Sequence, residues 1–326
     1  MSKSTIGVLL LQMGTPDAPT KEAVKTYLAE FLSDPRVVDT PRWLWLPILH
    51  GIILRRRPAR SAALYKQVWR EDNNLSPLFH FTQQQAVGVE SLLGRDMQIR
   101  FAMRYGNPGI SQVLDEMLEC GVEKLLVYPL YPQFSATTTG SGLDAISHYF
   151  AKKRSIPTIR FARPFYSNQL YINALANQIK KHRQPKSKQF YLFTFHGLPQ
   201  RHEDEGDPYA SQCRTTAQLL AKALNIPKEQ WRITFQSRFG KEEWLKPATD
   251  KTLLQLPSEG IKQLVVICPG FVADCLETLE EIAVAGKKSF LAAGGEQCHV
   301  VPCLNDSPIF IDALGKMIKT ELVGWC

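Results

Sequence analysis

Eight short apolar segments alternate along this chain with longer segments of helical periodicity, and this alternation constrains the fold more than any other feature. The strand-like segments lie at residues 6–12, 99–103, 125–131, 158–161, 190–195, 231–235, 264–268 and 299–302. Helical patterns separate most of them, for example at 21–31, 82–93, 111–120, 142–151, 168–181, 209–224 and 309–322. Alternation of this kind favours parallel sheets with helices on both faces.

The two halves of the chain resemble each other weakly. In each half, an early strand is followed by glycine and proline, and a later strand is followed by proline and an aromatic residue. We therefore predict an α/β fold of two similar doubly wound lobes, each a parallel sheet flanked by helices, with a cleft between them. The N-terminal lobe is placed at residues 1–164 and the C-terminal lobe at 165–326, with the last helix able to pack back on the first lobe.

Charge and cysteine content exclude several classes of protein. The formal charge is +8, but the basic residues are scattered except at 55–57, so a nucleic-acid surface is not indicated. The seven cysteines are odd in number and form no C-x-x-C motif, which favours reduced thiols over a disulfide framework. No segment reaches the roughly twenty apolar residues of a membrane-spanning helix.

His196 follows the apolar segment 190–195 and is itself followed by Gly-Leu-Pro. In open α/β sheets, ligands bind outside the carboxyl ends of the strands. A histidine in that position can change its charge near neutral pH, which suits proton transfer. A histidine buried in the core is the alternative interpretation.

Three acidic residues follow the strand-like segment 264–268. Asp274, Glu277 and Glu281 are spaced i, i+3, i+7, so on an α-helix they share one face within about 60°. Glu280 falls off that face. Carboxylate oxygens suit a hydrated divalent ion in transit, although a solvated acidic helix face is the alternative.

A further apolar segment, residues 43–54, precedes three arginines and is here called the flap. It contains Trp43, Trp45 and Ile48, and we expect Pro47 and Gly51 to break it. Its content is typical of an element lying at a membrane surface, with arginines at the lipid headgroups. A lid over an apolar acid and a buried core helix are the alternatives.

The loop at 131–142 joins a strand to a helix and contains several hydroxyl groups. These groups and the backbone amides could hold an anion at the helix N-terminus, but N-capping by Ser141 is the simpler interpretation. Nucleotide binding is not indicated, because the chain has no Walker A loop and no G-x-G-x-x-G motif after a strand.

Several of these segments, in this order, resemble the ferrochelatases, and the pattern is most similar to that of the Gram-negative protoporphyrin enzymes. The resemblance runs from about residue 7 to the C-terminal helix. It is carried by GTPDAP at 14–19, FLSDPRVVD at 31–39, SPL at 76–78, YPQFS at 131–135, HGLP at 196–199, TFQSRFG at 234–240 and GFVADCLETLEE at 270–281.

The resemblance implies an enzyme, a metal-inserting lyase that places Fe²⁺ in protoporphyrin IX to form protohaem, the last step of haem biosynthesis. It implies that His196 and Glu277 are catalytic, and that both contact the metal together with Asp274 and Glu281. The residues that it implies for substrate binding are Met13, Arg55, Arg56, Ser76, Arg104, Tyr105, Tyr131, Ser135 and Phe235.

Cofactor, partners and location are also expectations from the resemblance. Fe²⁺ is a substrate and no cofactor is permanently bound. A [2Fe–2S] cluster is not expected, because Ala136 stands where cluster-containing relatives have a cysteine. The expected partners are protoporphyrin IX, Fe²⁺ and the inner-membrane surface, with the oxidase of the preceding step as a further candidate. The expected location is cytoplasmic and peripheral to that membrane. A chelatase for coproporphyrin or another tetrapyrrole, and a non-catalytic porphyrin carrier, are the alternative functions.

Overall fold

The computed structural model describes residues 5–94, 97–182, 189–240 and 242–325. The chain divides into two compact units. The first comprises the residues up to Tyr131, Ser135–Pro164 and the residues from Ile311 onward, and the second comprises Pro132–Phe134 and Phe165–Phe310.

The first unit contains a parallel four-stranded sheet in the order β2-β1-β3-β4. The strands are β1 (Thr5–Gly14), β2 (Met97–Tyr105), β3 (Val122–Pro129) and β4 (Thr158–Phe161). The helices are α1 (Lys21–Ser33), α2 (Arg42–Ile48), α3 (Leu54–Val68), α4 (Pro77–Leu93), α5 (Ile110–Glu119) and α6 (Ser141–Phe150). Two π-helical turns, Leu49–Ile53 and Ala136–Gly140, precede α3 and α6.

Strand β1 lies inside this sheet and is almost entirely buried, which explains its uninterrupted apolar sequence. Its side chains pack with those of β3, α5 and α6 in one cluster around Leu9, Leu11 and Val127. Gly14 ends the strand with φ +117°, and a Cβ there would lie 1.8 Å from the carbonyl oxygen of Tyr105. Only glycine permits this close approach of β1 to β2.

The second unit repeats the arrangement, with a parallel sheet in the order β6-β5-β7-β8. The strands are β5 (Phe190–His196), β6 (Trp231–Gln236), β7 (Gln263–Ile267) and β8 (Gln297–Val300). The helices are α7 (Gln169–His182), α8 (Gln200–Asp204), α9 (Tyr209–Ala223), α10 (Thr249–Gln255) and α11 (Lys287–Ala292), with 3₁₀ turns at Lys228–Gln230 and Leu256–Glu259 and a π-helical segment at Glu277–Gly286. The prediction of two doubly wound α/β lobes is confirmed.

The last helix, α12 (Pro308–Glu321), carries the chain back to the first unit from Ile311. There Arg160 stacks on the indole of Trp325 at 4.3 Å and donates to the carbonyl of Glu321. Lys124 donates to the carbonyl of Trp325 at 3.2 Å. These contacts attach the C-terminal residues to strands β3 and β4.

The flap is not broken at Pro47 and Gly51, so that prediction is wrong. Helix α2 continues through Pro47 into the π-helical turn Leu49–Ile53 and then into α3. Pro47 donates no backbone hydrogen bond, and the π-helical turn begins two residues after it. Within the described ranges, no helix is both long and apolar enough to cross a membrane.

Candidate functional site

In the second unit, strands β5 and β6 end side by side. His196 is the last residue of β5 and pairs in register with Gln236, the last residue of β6. Since the strands are parallel, both carboxyl ends lie at the same edge of the sheet. His196 is only half-buried at this edge, unlike the preceding residues of its strand.

The backbone after β5 fixes the tautomer of His196. Its Nδ1 lies 2.7 Å from the carbonyl oxygen of Gly197, and only a protonated Nδ1 can donate to that oxygen. In the neutral ring, Nε2 therefore keeps its lone pair. The amide of Gly197 donates in turn to the carbonyl of Gln236 at 2.7 Å, which ties the end of β5 to β6.

The end of β6 also holds the acidic helix. The amide and the hydroxyl of Ser237 donate to the two carboxylate oxygens of Glu281, at 2.7 and 2.5 Å. The side-chain amide of Gln236 donates to the carbonyl oxygen of Glu277 at 3.3 Å. Ser237 adopts φ +66°, which is rare for a residue other than glycine. Nothing in the sequence pointed to Ser237 as an anchor of Glu281.

The electrostatics show that three titratable side chains of the predicted site are neighbours. Burial raises the pKa of Glu281, and the charge of Glu277 raises it further. The hydrogen bonds from Ser237 and the proximity of His196 act in the opposite direction. His196, Glu277 and Glu281 thus lie close enough for their charges to influence one another.

Asp274 differs from the other two carboxylates, and its predicted place on a common helix face is wrong. It precedes the helical residues, and the segment from Glu277 to Gly286 is a π-helix, not an α-helix. Its carboxylate accepts hydrogen bonds from Thr278 Oγ1 at 2.9 Å, Asn305 Nδ2 at 2.7 Å and the Cys303 amide at 3.3 Å. Asp274 is therefore an anchor for the start of this helix.

The anchor is completed by two reciprocal bonds. The Asp274 amide donates to Asn305 Oδ1 at 2.8 Å, and the Cys275 amide donates to Thr278 Oγ1 at 3.0 Å. Across the described parts of the chain, no group of three or more histidine, cysteine or acidic residues is arranged to hold a metal ion. The groups left to contact a metal in transit are His196 Nε2 and the carboxylates of Glu277 and Glu281.

Phe235, which the resemblance places among the substrate contacts, is a core residue. It is buried in β6 and packs against Phe195, with ring centroids 6.5 Å apart. Its ring has almost no surface left for a ligand. Nothing in these surroundings supports the predicted substrate contact of Phe235, which stays a prediction.

In the first unit, Arg104 and Tyr105 are joined to a buried carboxylate. Asp34 Oδ2 accepts bonds from Arg104 at 2.6 Å, from the Tyr105 hydroxyl at 2.8 Å and from Ser141 Oγ at 2.5 Å. Arg104 Nε also donates to Ser141 Oγ at 2.7 Å. Nothing in the sequence pointed to Asp34 or to this use of Ser141.

This network decides the charge of Asp34. Burial alone would raise its pKa, but the bonds from Ser141, the Arg36 amide and Tyr105 lower it below the ordinary 3.8, with the Arg104 charge adding to the effect. Asp34 is therefore ionised and paired, and it orients both Arg104 and Tyr105. Their polar groups act within the unit and are not freely available to a ligand.

The loop before α6 is capped by a different residue from the one predicted. Ser135 is buried, and its hydroxyl accepts from the Thr137 amide at 3.2 Å at the start of the π-helical turn. Ser141 instead donates its hydroxyl to Asp34. The prediction of an N-cap at Ser141 is wrong because the buried carboxylate competes for its hydroxyl.

The remaining predicted substrate contacts occupy different surroundings. Met13 is half-buried and packs against the core cluster that includes Leu28 and Leu49. Burial raises the pKa of Tyr131, whose hydroxyl is enclosed and has no hydrogen-bond partner among the described residues. Ser76 is buried at the N-terminus of α4, whereas Arg55 and Arg56 are exposed on α3.

The flap residues divide between solvent and protein. Trp43 is 78% exposed, and Leu44 and Ile52 are also exposed. Trp45 turns inward, where its indole N–H donates to the Leu32 carbonyl at 2.7 Å. Ile48 is half-buried. The outward apolar surface of the flap therefore consists of Trp43, Leu44 and Ile52, and the interpretation of the whole flap as a buried core helix is wrong.

Comparison with protein families gives a match over nearly the whole chain. The family model described as Ferrochelatase matches residues 5–322. Ferrochelatase 1 of Shewanella oneidensis is 47% identical, over 98% of this chain and 96% of its own. The ferrochelatase of Marinobacter nauticus is 49% identical, over 98% and 87%, and that of Actinobacillus pleuropneumoniae serotype 5b is 46% identical, over 99% and 100%.

Solved structures support the fold. SirB from Bacillus subtilis with Fe³⁺ aligns with a TM-score of 0.59 at 11% identity, covering 98% of this chain and 96% of that one. The sirohydrochlorin chelatase SirB from Bacillus subtilis subspecies spizizenii, in complex with cobalt, gives 0.58 at 11% identity, covering 97% and 95%. At this identity the similarity concerns the fold alone.

The buried carboxylate of the first unit yields a prediction. Asp34→Asn should lower the free energy of unfolding by about 3 kcal/mol at neutral pH, because it leaves the Arg104 charge without its partner. Asp144→Asn is the matched control, since Asp144 forms an exposed pair with Arg36 and should contribute less than about 1 kcal/mol. Urea unfolding of the two variants measures both values.

The Asp34 effect should also depend on pH. A carboxylate whose folded pKa is lowered contributes stability above its ordinary pKa of 3.8 and loses it as the pH falls toward the folded value. The difference between wild type and Asp34→Asn should therefore shrink below about pH 4. Equal effects of the two variants at neutral pH would contradict the assignment of Asp34 as the central acceptor.

Proposed function

This chain belongs to the ferrochelatase family, and from that premise we propose that it inserts Fe²⁺ into protoporphyrin IX to form protohaem, the terminal step of haem biosynthesis. The observation that carries the proposal is the grouping of His196, Glu277 and Glu281 at the carboxyl edge of the second sheet. This grouping provides a proton acceptor beside two carboxylates. The iron ion is a substrate and leaves with the product.

His196 is the proton acceptor in this proposal. Two pyrrole protons must leave the macrocycle as the metal enters, and a base near neutrality is suited to take them. The bond from Nδ1 to the Gly197 carbonyl leaves Nε2 as the atom that receives the protons, one at a time, passing the first to solvent before it accepts the second.

Glu277 and Glu281 assist the metal. Their carboxylates replace water around Fe²⁺ as it passes to the porphyrin, and oxygen ligands exchange readily on a hydrated divalent ion. Ser237 fixes Glu281, whereas Glu277 is fixed through its backbone by Gln236. Asp274 positions the start of their helix and is not assigned to the metal.

The porphyrin contacts come from the first unit. A flat apolar ring with two carboxylates needs an apolar surface and cationic or hydroxyl groups at its edge. Met13 and Tyr131 supply apolar surface, and Arg55, Arg56 and Ser76 supply groups for the carboxylates. Arg104, Tyr105 and Ser135 are assigned no direct contact with the porphyrin, because their polar groups form hydrogen bonds within the first unit. No resident [2Fe–2S] cluster is proposed, since Ala136 stands where cluster-containing relatives have cysteine.

His196→Ala tests the proposed function most directly. With purified protein, Zn²⁺ in place of Fe²⁺ and fluorescence detection, wild type should convert protoporphyrin IX at many turnovers per protein. The variant should lose insertion while its porphyrin affinity changes less than about tenfold, because the lost group accepts protons and does not anchor the ring. His148→Ala, at an exposed position on α6, is the control. A wild-type protein that binds porphyrin without turnover would be a carrier.

A second prediction compares two carboxylates of one helix. Glu277→Gln should reduce turnover by roughly 10²-fold, because the neutral amide neither attracts the metal nor accepts a proton. Glu280→Gln makes the same change three residues further along and should have little effect. Steady-state kinetics with a series of Zn²⁺ concentrations distinguishes the two. Similar losses of turnover in both variants would show that Glu277 contributes only negative charge to the helix and makes no specific contact with the metal.

We further propose that the protein is peripheral to the inner membrane and contacts it through the flap. Trp43, Leu44 and Ile52 are exposed apolar side chains next to the exposed Arg55 and Arg56. Apolar groups at the acyl boundary and arginines at anionic headgroups bind such a surface together. The preceding oxidase of the pathway, whose product is the porphyrin, is a candidate partner at the same membrane.

The flap proposal is tested on the outward residues alone. Replacing Trp43, Leu44 and Ile52 by serine should reduce co-sedimentation with anionic lipid vesicles, and raising the salt concentration should reduce the remaining binding. Ile156→Ser removes an exposed apolar side chain from the loop before β4 and is the control. Unchanged sedimentation of the triple variant would leave the flap without a membrane role.

A further inference from the structure

The loop after β8, residues 301–307, runs beside the loop after β7. The Val301 amide donates to the Val266 carbonyl at 2.9 Å, and the Asn305 amide donates to the Val272 carbonyl at 2.8 Å. Because β7 and β8 are neighbouring parallel strands, both loops leave the same edge of the second sheet. The loop after β8 therefore reaches the segment that leads into the acidic helix.

Asn305 forms a two-way pair with Asp274. Its side-chain amide donates to Asp274 Oδ2 at 2.7 Å, and its Oδ1 accepts from the Asp274 backbone amide at 2.8 Å. Asp274 is only 5% exposed, and its other donors, Thr278 Oγ1 and the Cys303 amide, are neutral as well. A buried carboxylate that is held only by neutral donors depends on each of them, because a lost bond leaves an oxygen without a partner.

The backbone of Asn305 does not by itself explain this pairing. Its φ is +49°, a left-handed conformation that asparagine adopts more readily than most other residues. Asn225, just after α9, has nearly the same φ of +52° but is exposed. The two positions therefore share a backbone conformation and differ in surroundings, which makes Asn225 a matched control.

The pair also fixes the turn on which Glu277 lies. Thr278 Oγ1 donates to Asp274 Oδ1 at 2.9 Å, so the turn that contains Glu277 closes around the Asp274 carboxylate. On the other side, the side-chain amide of Gln236 donates to the Glu277 carbonyl at 3.3 Å. Glu277 is thus held by Gln236 from β6 and, through Asp274, by Asn305 from the loop after β8.

We propose that Asn305 is a positioning residue for metal insertion, which holds Asp274 and thereby sets where the Glu277 carboxylate meets the incoming ion. The inference rests on the proposed function, because that function makes Glu277 a metal contact. Neither Asn305 nor Asp274 contacts the metal or the porphyrin in this proposal. What matters is the hydrogen bonding of the pair, so exchanging its two side chains should preserve the function.

The exchange gives the test. In Asn305→Asp, a carboxylate oxygen replaces Nδ2 and faces Asp274 Oδ2, so two acceptors meet. In the double variant Asp274→Asn/Asn305→Asp, the amide at position 274 donates to the carboxylate at position 305, and the total charge is unchanged. Asn305→Asp should lower kcat/KM for Zn²⁺ about tenfold or more, because a displaced reacting group can cost about 10²-fold. The double variant should recover to within about threefold of wild type.

Separate KM values distinguish positioning from loss of folded protein. In Asn305→Asp, KM for Zn²⁺ should rise about tenfold, while KM for protoporphyrin IX should change less than about twofold, because the proposed porphyrin contacts lie in the first unit. Loss of folded protein would lower the apparent kcat and leave both KM values unchanged. Asn305→Gly keeps the left-handed backbone without the side chain and should show the same rise in KM for Zn²⁺. Asn225→Asp should behave like wild type.

All assays are run below the unfolding transition of each variant, measured by circular dichroism. If Asn305→Asp does not fold, the double variant is compared with Asp274→Asn, in which two amide donors face each other. An unchanged KM for Zn²⁺ in both Asn305→Asp and Asn305→Gly would overturn the proposal. A double variant that unfolds like wild type but recovers no turnover would also overturn it and would assign the Asp274 charge to the metal. Failure of the proposed function would instead appear as absent turnover in wild type, and the inference would fall with it.

Discussion

Parallel strand pairing is the constraint on which the rest of the molecule depends. In each unit four strands run in the same direction, so their carboxyl ends meet at one edge and the loops that follow them become neighbours. His196 ends β5, and Ser237 follows β6 directly. In the first unit, Tyr105 ends β2. The direction of the strands thus determines where the backbone places these residues, and their side chains supply the chemistry.

The polar residues near these edges fall into two groups. Asp34 and Asp274 are buried carboxylates whose oxygens are occupied by hydroxyl, amide or guanidinium donors. Their charge stabilises loops and helix ends, and little of it is available to a substrate. His196 Nε2, in contrast, makes no hydrogen bond to the described residues. A polar group without a partner in the folded protein is expected to act on a ligand, because the ligand supplies the missing hydrogen bond.

Much of the fold and part of the site could be predicted from the sequence. The interior strands β1, β5 and β7 are largely apolar, and His196 stands at the end of one of them, so both features are visible locally. The anchoring of Asp274 was not predictable, because Asn305 lies 31 residues away along the chain. The π-helical geometry was also missed, since its residues are ordinary helix formers and the extra residue per turn leaves no compositional signal. The role of Asp34 depends on Arg104, 70 residues away, which no periodicity relates to it.

The return of α12 to the first unit links the order of synthesis to the order of folding. The guanidinium of Arg160 and the ammonium group of Lys124 contact Trp325, and the surface at Gly88 faces Ile311. During translation, the second unit has all of its own residues before the first unit has its last helix. The N-terminal unit, although its first residues are made first, is therefore completed only after the second unit has been synthesised, and the apolar surface that α12 covers stays exposed until then.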